Sequence, residues 1–294
     1  MKQRIFTDNV FYWVFRTAAI LSILILLGIF LMLIINGAGT FREVGFGDFL
    51  FGKIWNPSAY GNEQYGILSM IAGTLLVTLI AMLIATPLGI GTAAFLSEFA
   101  PKKLAAVLKP IIEMLAAVPS VTVGFIGIVF VGPLIASVFN LNNGLNALNG
   151  AILLAVMSLP TVITVSEDAI RAVPESYKEA SYALGANRWE TLVKVTLPAA
   201  TSGIIAALML GVGRAVGETM TVLMATGNAA AMPYSIFDSV RTMTATIAIE
   251  LGEVPFQTIH YHSLFAVGAV LFLITLSVNL VAEWVAAGYR QNGQ

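Results

Sequence analysis

Six long apolar runs, separated by short polar stretches, organise this chain: roughly 14 to 36, 67 to 96, 107 to 138, 149 to 170, 199 to 224 and 262 to 286. At 1.5 Å of rise per residue, about 20 residues cross a hydrocarbon core about 30 Å thick. The runs reach that length with few internal charges, so each predicts a membrane-spanning helix and the fold class predicted is all-α, a polytopic integral membrane protein. Pro87 and Gly89 in the second run, and Pro119, Gly124, Gly127, Gly132 and Pro133 in the third, predict kinks or breaks. Such interruptions are tolerated where neighbouring groups or a cavity satisfy the freed backbone. The first run follows Lys2, Arg4 and Arg16, as in a secretory signal. Its apolar core from Thr17 to Ile35 is too long for one and has no small-residue cleavage site at its end, so it reads as a retained helix.

The polar stretches divide unequally between the two sides. With the N-terminus inside, the inner parts carry Lys2, Arg4, Arg16, Lys102, Lys103, Lys109, Arg171, Lys178, Arg188, Lys194 and Arg290, and the outer parts only Arg42, Lys53 and Arg241. An excess of Lys and Arg marks the cytoplasmic side, which places both termini there. Residues 37 to 66, rich in Gly and Asn, read as a turn-rich outer loop with one or two short helices, and Asn140 to Asn149 as a compact outer turn. Within the outer stretch 225 to 261, Ser235 to Leu251 reads as a helix lying on the surface.

Composition narrows the function. Only 11% of residues are charged and the net charge is -1, against about 25% charged in a soluble domain, so neither a soluble enzyme nor a nucleic-acid binder fits. The absence of cysteine excludes disulfides, thiol catalysis and thiolate metal sites. No nucleophile, base and orienting group assemble, so no catalytic residue, metal or cofactor is assigned to this chain. Gly47, Gly52 and Lys53 have the spacing of a nucleotide-binding loop, but Ile54 stands where Ser or Thr would bind magnesium, and no strand precedes it. His260 and His262 alternate near an outer interface and make a weak metal pair at best; Glu113 lies close to Lys109 near the inner interface, where pairing or snorkelling suffices. Trp13, Trp55, Trp189 and Trp284 fall near interfaces or in loops, as anchoring aromatics do.

The inner segment 166 to 198, SEDAIRAVPESYKEASYALGANRWETLVKVTLP, is the most informative. Pro174 opens a helix, Tyr177, Ala180, Ala183 and Leu184 recur on one face, Gly185 stops it, and Pro198 suits the first turn of the next membrane helix. These features predict a short amphipathic helix at the inner surface, resting either in the lipid interface or against another protein. Its face is short and its polar side only sparsely basic, which favours protein. Glu179, Ala180, Ser181, Gly185, Val195, Leu197 and Pro198 resemble, in register, the EAA loop of ABC importer permeases, with Ser181 for the second Ala and Val195 for Ile. That resemblance implies the type I importer permease fold and a coupling helix seated on a separate ATPase, which would bind the ATP and Mg.

A second feature lies inside the fifth run, in GVGRAVGETMTVLMATGN. A charge at the bilayer centre costs at least roughly 2.5 to 3.5 kcal/mol, so Arg214 and Glu218 mark either a packing ion pair or a substrate path. Four residues apart on one helix, they would share a face and pair; Gly211, Gly213 and Gly217 permit a close helix neighbour. Counted from the start of the run, Arg214 would lie about 21 Å deep, past the midplane. A guanidinium matches two oxygens of phosphate or sulfate. Arg214, Glu218 and Thr219 are therefore the candidate path residues, with Glu218 balancing Arg214 when no anion is bound.

The stretches RAVGETMTVLMATGN, SEDAIRAVPESYKEASYALGANRWETL and AAVPSVTVGFIGI together resemble the PstC-type permeases of bacterial phosphate importers, within the CysTW-like permease family of binding-protein-dependent transport components. The resemblance covers most of residues 67 to 286 and implies a phosphate path, a second PstA-like permease, a PstB-like ATPase dimer and an external PstS-like phosphate-binding protein. It divides the chain into a peripheral part, 1–66, and a transport core, 67–290. Sulfate or molybdate as substrate, and an ATPase-independent carrier or channel, remain the competing readings.

Overall fold

The computed structural model describes residues 2–59 and 61–291. Met1 and residues 292–294, at the ends assigned to the inner side, lie outside the described residues. Helix α1 (Lys2–Glu43) is followed by short α2 (Phe46–Phe51) and a two-stranded antiparallel ribbon, β1 (Trp55–Asn56) and β2 (Gln64–Tyr65), in which Trp55 faces Tyr65 and Asn56 faces Gln64. Then come α3 (Leu68–Ala94), α4 (Lys102–Ala116), α5 (Ser120–Ile126), α6 (Gly132–Phe139), α7 (Ala147–Arg171), α8 (Glu175–Ala183), α9 (Arg188–Thr191), α10 (Leu197–Gly217), α11 (Met220–Ala225), α12 (Met243–Glu250) and α13 (Ile259–Gln291). Among the described residues, six spans are long and apolar enough to cross a membrane: Phe11–Glu43, Leu68–Phe99, Ser120–Phe139, Ala147–Arg171, Arg188–Gly217 and Ile259–Gly288.

Three π turns interrupt these spans, at Phe95–Phe99, Gly127–Val131 and Leu192–Thr196, and each stands just before a proline: Pro101, Pro133 and Pro198. The residue preceding each proline closes the turn with a bond from five positions back, as Ala100 N–H to the Phe95 carbonyl. A proline ring collides with the carbonyl four residues earlier, and a wider turn moves that carbonyl aside. The third and fifth runs are corrected. The run 107 to 138 is not one helix: α4 is a separate amphipathic helix, and the span begins at Ser120, because Pro119 is extended (φ −59, ψ 134). The run 199 to 224 breaks at Glu218, which is also extended (φ −67, ψ 132), before α11 resumes.

Shape rather than apolarity selects contacts in a membrane, and small residues line the core joints. Helix α3 packs on α7 and α7 on α10; a methyl on Gly211 would meet Val162 at 2.8 Å and one on Gly203 would meet Ala169 at 2.4 Å. Helix α1 stands apart from this core and packs mainly on α13 over its C-terminal half, where Gly37 touches Ala266 and the Phe30 and Phe272 rings lie 4.9 Å apart. At the end opposite α8, α1 runs on to Glu43 and the ribbon replaces part of the expected loop. Only Met243–Glu250 of the helix expected from 235 to 251 forms. Asp238 Oδ2 instead accepts the Tyr234 and Ser235 N–H groups in a turn, and Thr242 caps α12 by accepting the Ala245 N–H.

Candidate functional site: a tethered surface helix and an interrupted membrane helix

Helix α8 projects from the end where α7 and α10 meet. Pro174 precedes it in an extended conformation that suits a helix start. Gly185 ends it at φ +86, a left-handed backbone that costs a residue with a Cβ roughly 1 to 2 kcal/mol. Asn187 and Glu190 then form a reciprocal capping box that starts α9.

The orientation of α8 reverses ordinary amphipathicity. Its apolar positions face outward: Tyr177, Tyr182 and Leu184 are exposed, Leu184 at 89%. Its buried positions are Lys178 and Ser181. Lys178 Nζ lies 2.8 Å from Glu98 on the π turn ending the α3 span, and 3.5 Å from Glu175; Ser181 Oγ lies 2.9 Å from Thr191 Oγ1. Burial disfavours the ammonium, but the hydrogen bond and charge of Glu98, aided by Glu175, outweigh it and hold Lys178 above the usual lysine range. Of the loop-pattern residues, Glu179 and Ala180 are exposed, Ser181 anchors, Gly185 makes the turn, and Val195, Leu197 and Pro198 occupy the π turn and the start of α10. Tyr177, Ala180, Leu184, Gly185, Lys194 and Val195 together border an open groove of about 480 Å³.

The same end holds a second polar cluster. Glu167, 1% exposed, lies 3.2 Å from Lys109 Nζ and 2.7 Å from Arg171; Lys109 also lies 3.5 Å from Asp168. Lys109 is held above its ordinary range although burial opposes the charge, because Glu167 and Asp168 outweigh it. Glu113 is not its partner and borders a neighbouring cleft with Lys102 and Arg171. Glu98 lies in none of the sequence motifs, and Glu167, although inside the segment 166 to 198, carries no signal of its own there, because its partner Lys109 on α4 is brought to it only by packing.

Within the membrane, the structure separates the pair expected to share a face. Among the described residues Arg214 makes no ion pair; its Nη1 lies 3.4 Å from Thr161 Oγ1 on α7. Thr161 lies ten residues before the α7 terminus at Arg171, so the guanidinium sits about 15 Å from that end of α7. Helical side chains lean toward their own N-terminus, which brings the Arg214 head back toward the α8 end. Glu218 lies beyond the break. Its Oε1 accepts from the Thr221 N–H and hydroxyl, each at 3.3 Å, at the start of α11, and its carbonyl accepts from Thr244 Oγ1 at 2.9 Å. Glu218 therefore fixes the interruption and does not balance Arg214. The Thr219 hydroxyl donates to the Gly217 carbonyl at 3.4 Å, and the Thr219 carbonyl accepts from the Leu223 N–H at 2.9 Å.

At the end opposite α8, Glu250 gathers the connecting segments. It lies 2.8 Å from Arg241 and 2.7 Å from His260 Nε2, and accepts from Trp55 Nε1 at 3.0 and 3.1 Å. Trp55 is thus a buried tie between these segments, not a lipid anchor. The two histidines diverge, since His262 Nδ1 bonds to the Asn36 carbonyl at 2.7 Å.

The family model for binding-protein-dependent transport system inner membrane components matches residues 85–291. The chain is similar to a probable ABC transporter permease protein, YqgH, of Bacillus subtilis (strain 168): 39% identical, covering 82% of this chain and 77% of that one. It is similar also to the phosphate transport system permease protein PstC of Mesorhizobium japonicum, 36% identical over 95% of this chain and 90% of the relative, and to PstC 1 of Mycobacterium tuberculosis, 35% over 92% and 90%. Among solved structures, a bacterial alginate importer superposes with a TM-score of 0.63 at 17% identity, covering 97% of this chain and 98% of that one. The MetNI methionine transporter superposes at 0.61 and 17%, covering 76% and 95%. The architecture is the all-α importer-permease fold expected from the loop, and the chain belongs to the family of binding-protein-dependent transport system inner membrane components.

Proposed function

We propose that this chain is a membrane-spanning permease subunit of an ATP-driven phosphate importer, working without catalysis of its own. The observation that carries the reading is the reversed face of α8: an amphipathic helix whose apolar side is open and whose ion-paired side holds it to the membrane helices. A helix resting in lipid would have no use for a buried Lys178–Glu98 pair, whereas a helix that receives force from a partner needs a stiff tether. The partner is an ATPase dimer holding ATP and Mg, seated on α8 with Glu179, Ala180 and Gly185 at the contact; α8 then marks the cytoplasmic side of a bacterial inner membrane, with both termini on that side. The named PstC relatives support phosphate as the cargo and a second permease and external binding protein as further partners.

In this reading residues 67–290 form the transport core and 1–66 the peripheral part. The binding protein docks on residues 37 to 66 and 225 to 261, which the Glu250 cluster ties into one surface. Arg214 holds the anion in transit, while Glu218 and Thr219 shape the interruption beside it. The test is ATP hydrolysis and uptake by the assembled complex in lipid vesicles, with phosphate or sulfate. Stimulation by phosphate alone supports the reading; stimulation by sulfate or molybdate moves the assignment to another oxyanion, and failure to retain any ATPase overturns it in favour of an autonomous carrier.

A further inference from the structure

Asn279 and Glu283 lie one turn apart on α13, inside the apolar span Ile259–Gly288. A carboxylate at that depth is costly unless it faces a polar path or a partner charge. Both residues are exposed at the bundle surface and border an open cleft of about 630 Å³ between α10 and α13, together with Ser202 and Arg214 of α10; its remaining wall is almost entirely aliphatic. Glu283 is the one carboxylate among the residues lining this cleft, and Arg214 the one cation.

The two charges stand on facing walls of the cleft. Ser202, early in α10, and Ala287, late in α13, border the same cleft, so the helices run antiparallel. Side chains lean toward the N-terminus of their own helix, so Arg214 leans toward the α8 end and Glu283 leans away from it, each toward the other. Glu218 is not free to take the part, since its carboxylate is held at the start of α11 by Thr221.

We propose that the α10–α13 cleft is the oxyanion subsite of the transport path, with Arg214 as its cation, Asn279 as an amide donor and Glu283 as the carboxylate on the facing wall. The identity of the anion rests on the phosphate-importer reading. When phosphate enters, the guanidinium takes two of its oxygens and Glu283 accepts the hydrogen bond of a P–OH group. Sulfate near neutral pH has no such proton and meets Glu283 as a like charge, so the subsite adds discrimination between two anions of the same shape.

The absence of cysteine allows a direct test, because Asn279→Cys or Glu283→Cys is then the sole thiol of this subunit. The complete complex in vesicles is treated with a small negatively charged methanethiosulfonate, in each nucleotide state, with and without phosphate. Both positions are expected to react in at least one state and to be protected by phosphate but not chloride, while Leu280→Cys, exposed outside the cleft, stays unreacted. Glu283→Ala is expected to slow phosphate uptake about tenfold, equivalent to roughly 1.4 kcal/mol, and Glu283→Asp to restore much of it. Failure of both thiols to react in every state, or wild-type uptake by Glu283→Ala, overturns the subsite. Wild-type vesicles that take up no phosphate overturn instead the identity of the cargo, and the labelling pattern still decides whether the cleft belongs to a path.

Discussion

Replacing Lys178 by Met tests the tether directly. Met keeps an unbranched apolar side chain of similar length, so packing is nearly conserved while the ammonium is lost. The side chains of Lys178 and Glu98 are only 10% and 13% exposed, and removing one partner strands the Glu98 carboxylate in a poorly solvated site. Breaking a fully buried pair in this way costs roughly 3 to 5 kcal/mol; residual exposure reduces the expectation here to about 2 kcal/mol. Glu98→Gln combined with Lys178→Met removes the stranded charge and should recover about half of that loss, since a neutral amide costs far less to bury than an unpaired carboxylate. Thermal unfolding of the purified subunit measures stability, and uptake per ATP hydrolysed by the complex measures coupling. Lys178→Met is expected to lower both, and the double variant to regain stability more than coupling. Lys178 should not titrate in the working range: its folded pKa is raised, so its contribution is complete below the ordinary lysine value of 10.5 and fades only above it. A Lys178→Met variant with wild-type stability, or a double variant as unstable as the two singles added, would refute the reasoning.

Three further outcomes follow from other parts of the molecule. Gly185→Ala forces a Cβ into φ +86 and should cost roughly 1 to 2 kcal/mol in a thermal melt, with weaker retention of the ATPase on co-purification. Arg214→Ala and Arg214→Lys should each cut phosphate uptake at least about tenfold at equal protein level, Lys failing because it cannot offer a planar pair of donors; unchanged uptake in both removes Arg214 from the path. Glu250→Gln leaves Arg241 and His260 without their carboxylate and should destabilise the outer segments by about 2 kcal/mol, read as faster proteolysis within residues 37 to 66 and 225 to 261 while the membrane core stays intact.

The membrane spans were legible because their signal is additive along the chain: each apolar run had to reach the thickness of the bilayer whatever its neighbours. The coupling-type loop was legible because its signal is local, a proline start, a glycine stop and a register of small residues over one short helix. The breaks at Pro119 and Glu218 were harder to place. Pro119 announced a kink, but Glu218 carries no breaker signal of its own; its extended backbone is supported by Thr221 at the start of α11 and by Thr244, 26 residues away. The outer loop concealed the ribbon and the role of Trp55, whose indole partner, Glu250, is 195 residues distant.

By itself the sequence determined what covalent length and local propensity control: six apolar spans, an all-α membrane fold, and a short capped helix with a register of small residues between the fourth and fifth spans. Tertiary structure alone decided which charges meet. Arg214 and Glu218 are four residues apart in sequence but separated by the end of a helix, while Lys178 and Glu98 are 80 residues apart and 2.8 Å from each other. Helical periodicity places residues only while one helix continues; once it breaks, or two helices pack, partnership depends on which faces close packing brings together, and that is a property of the assembled bundle.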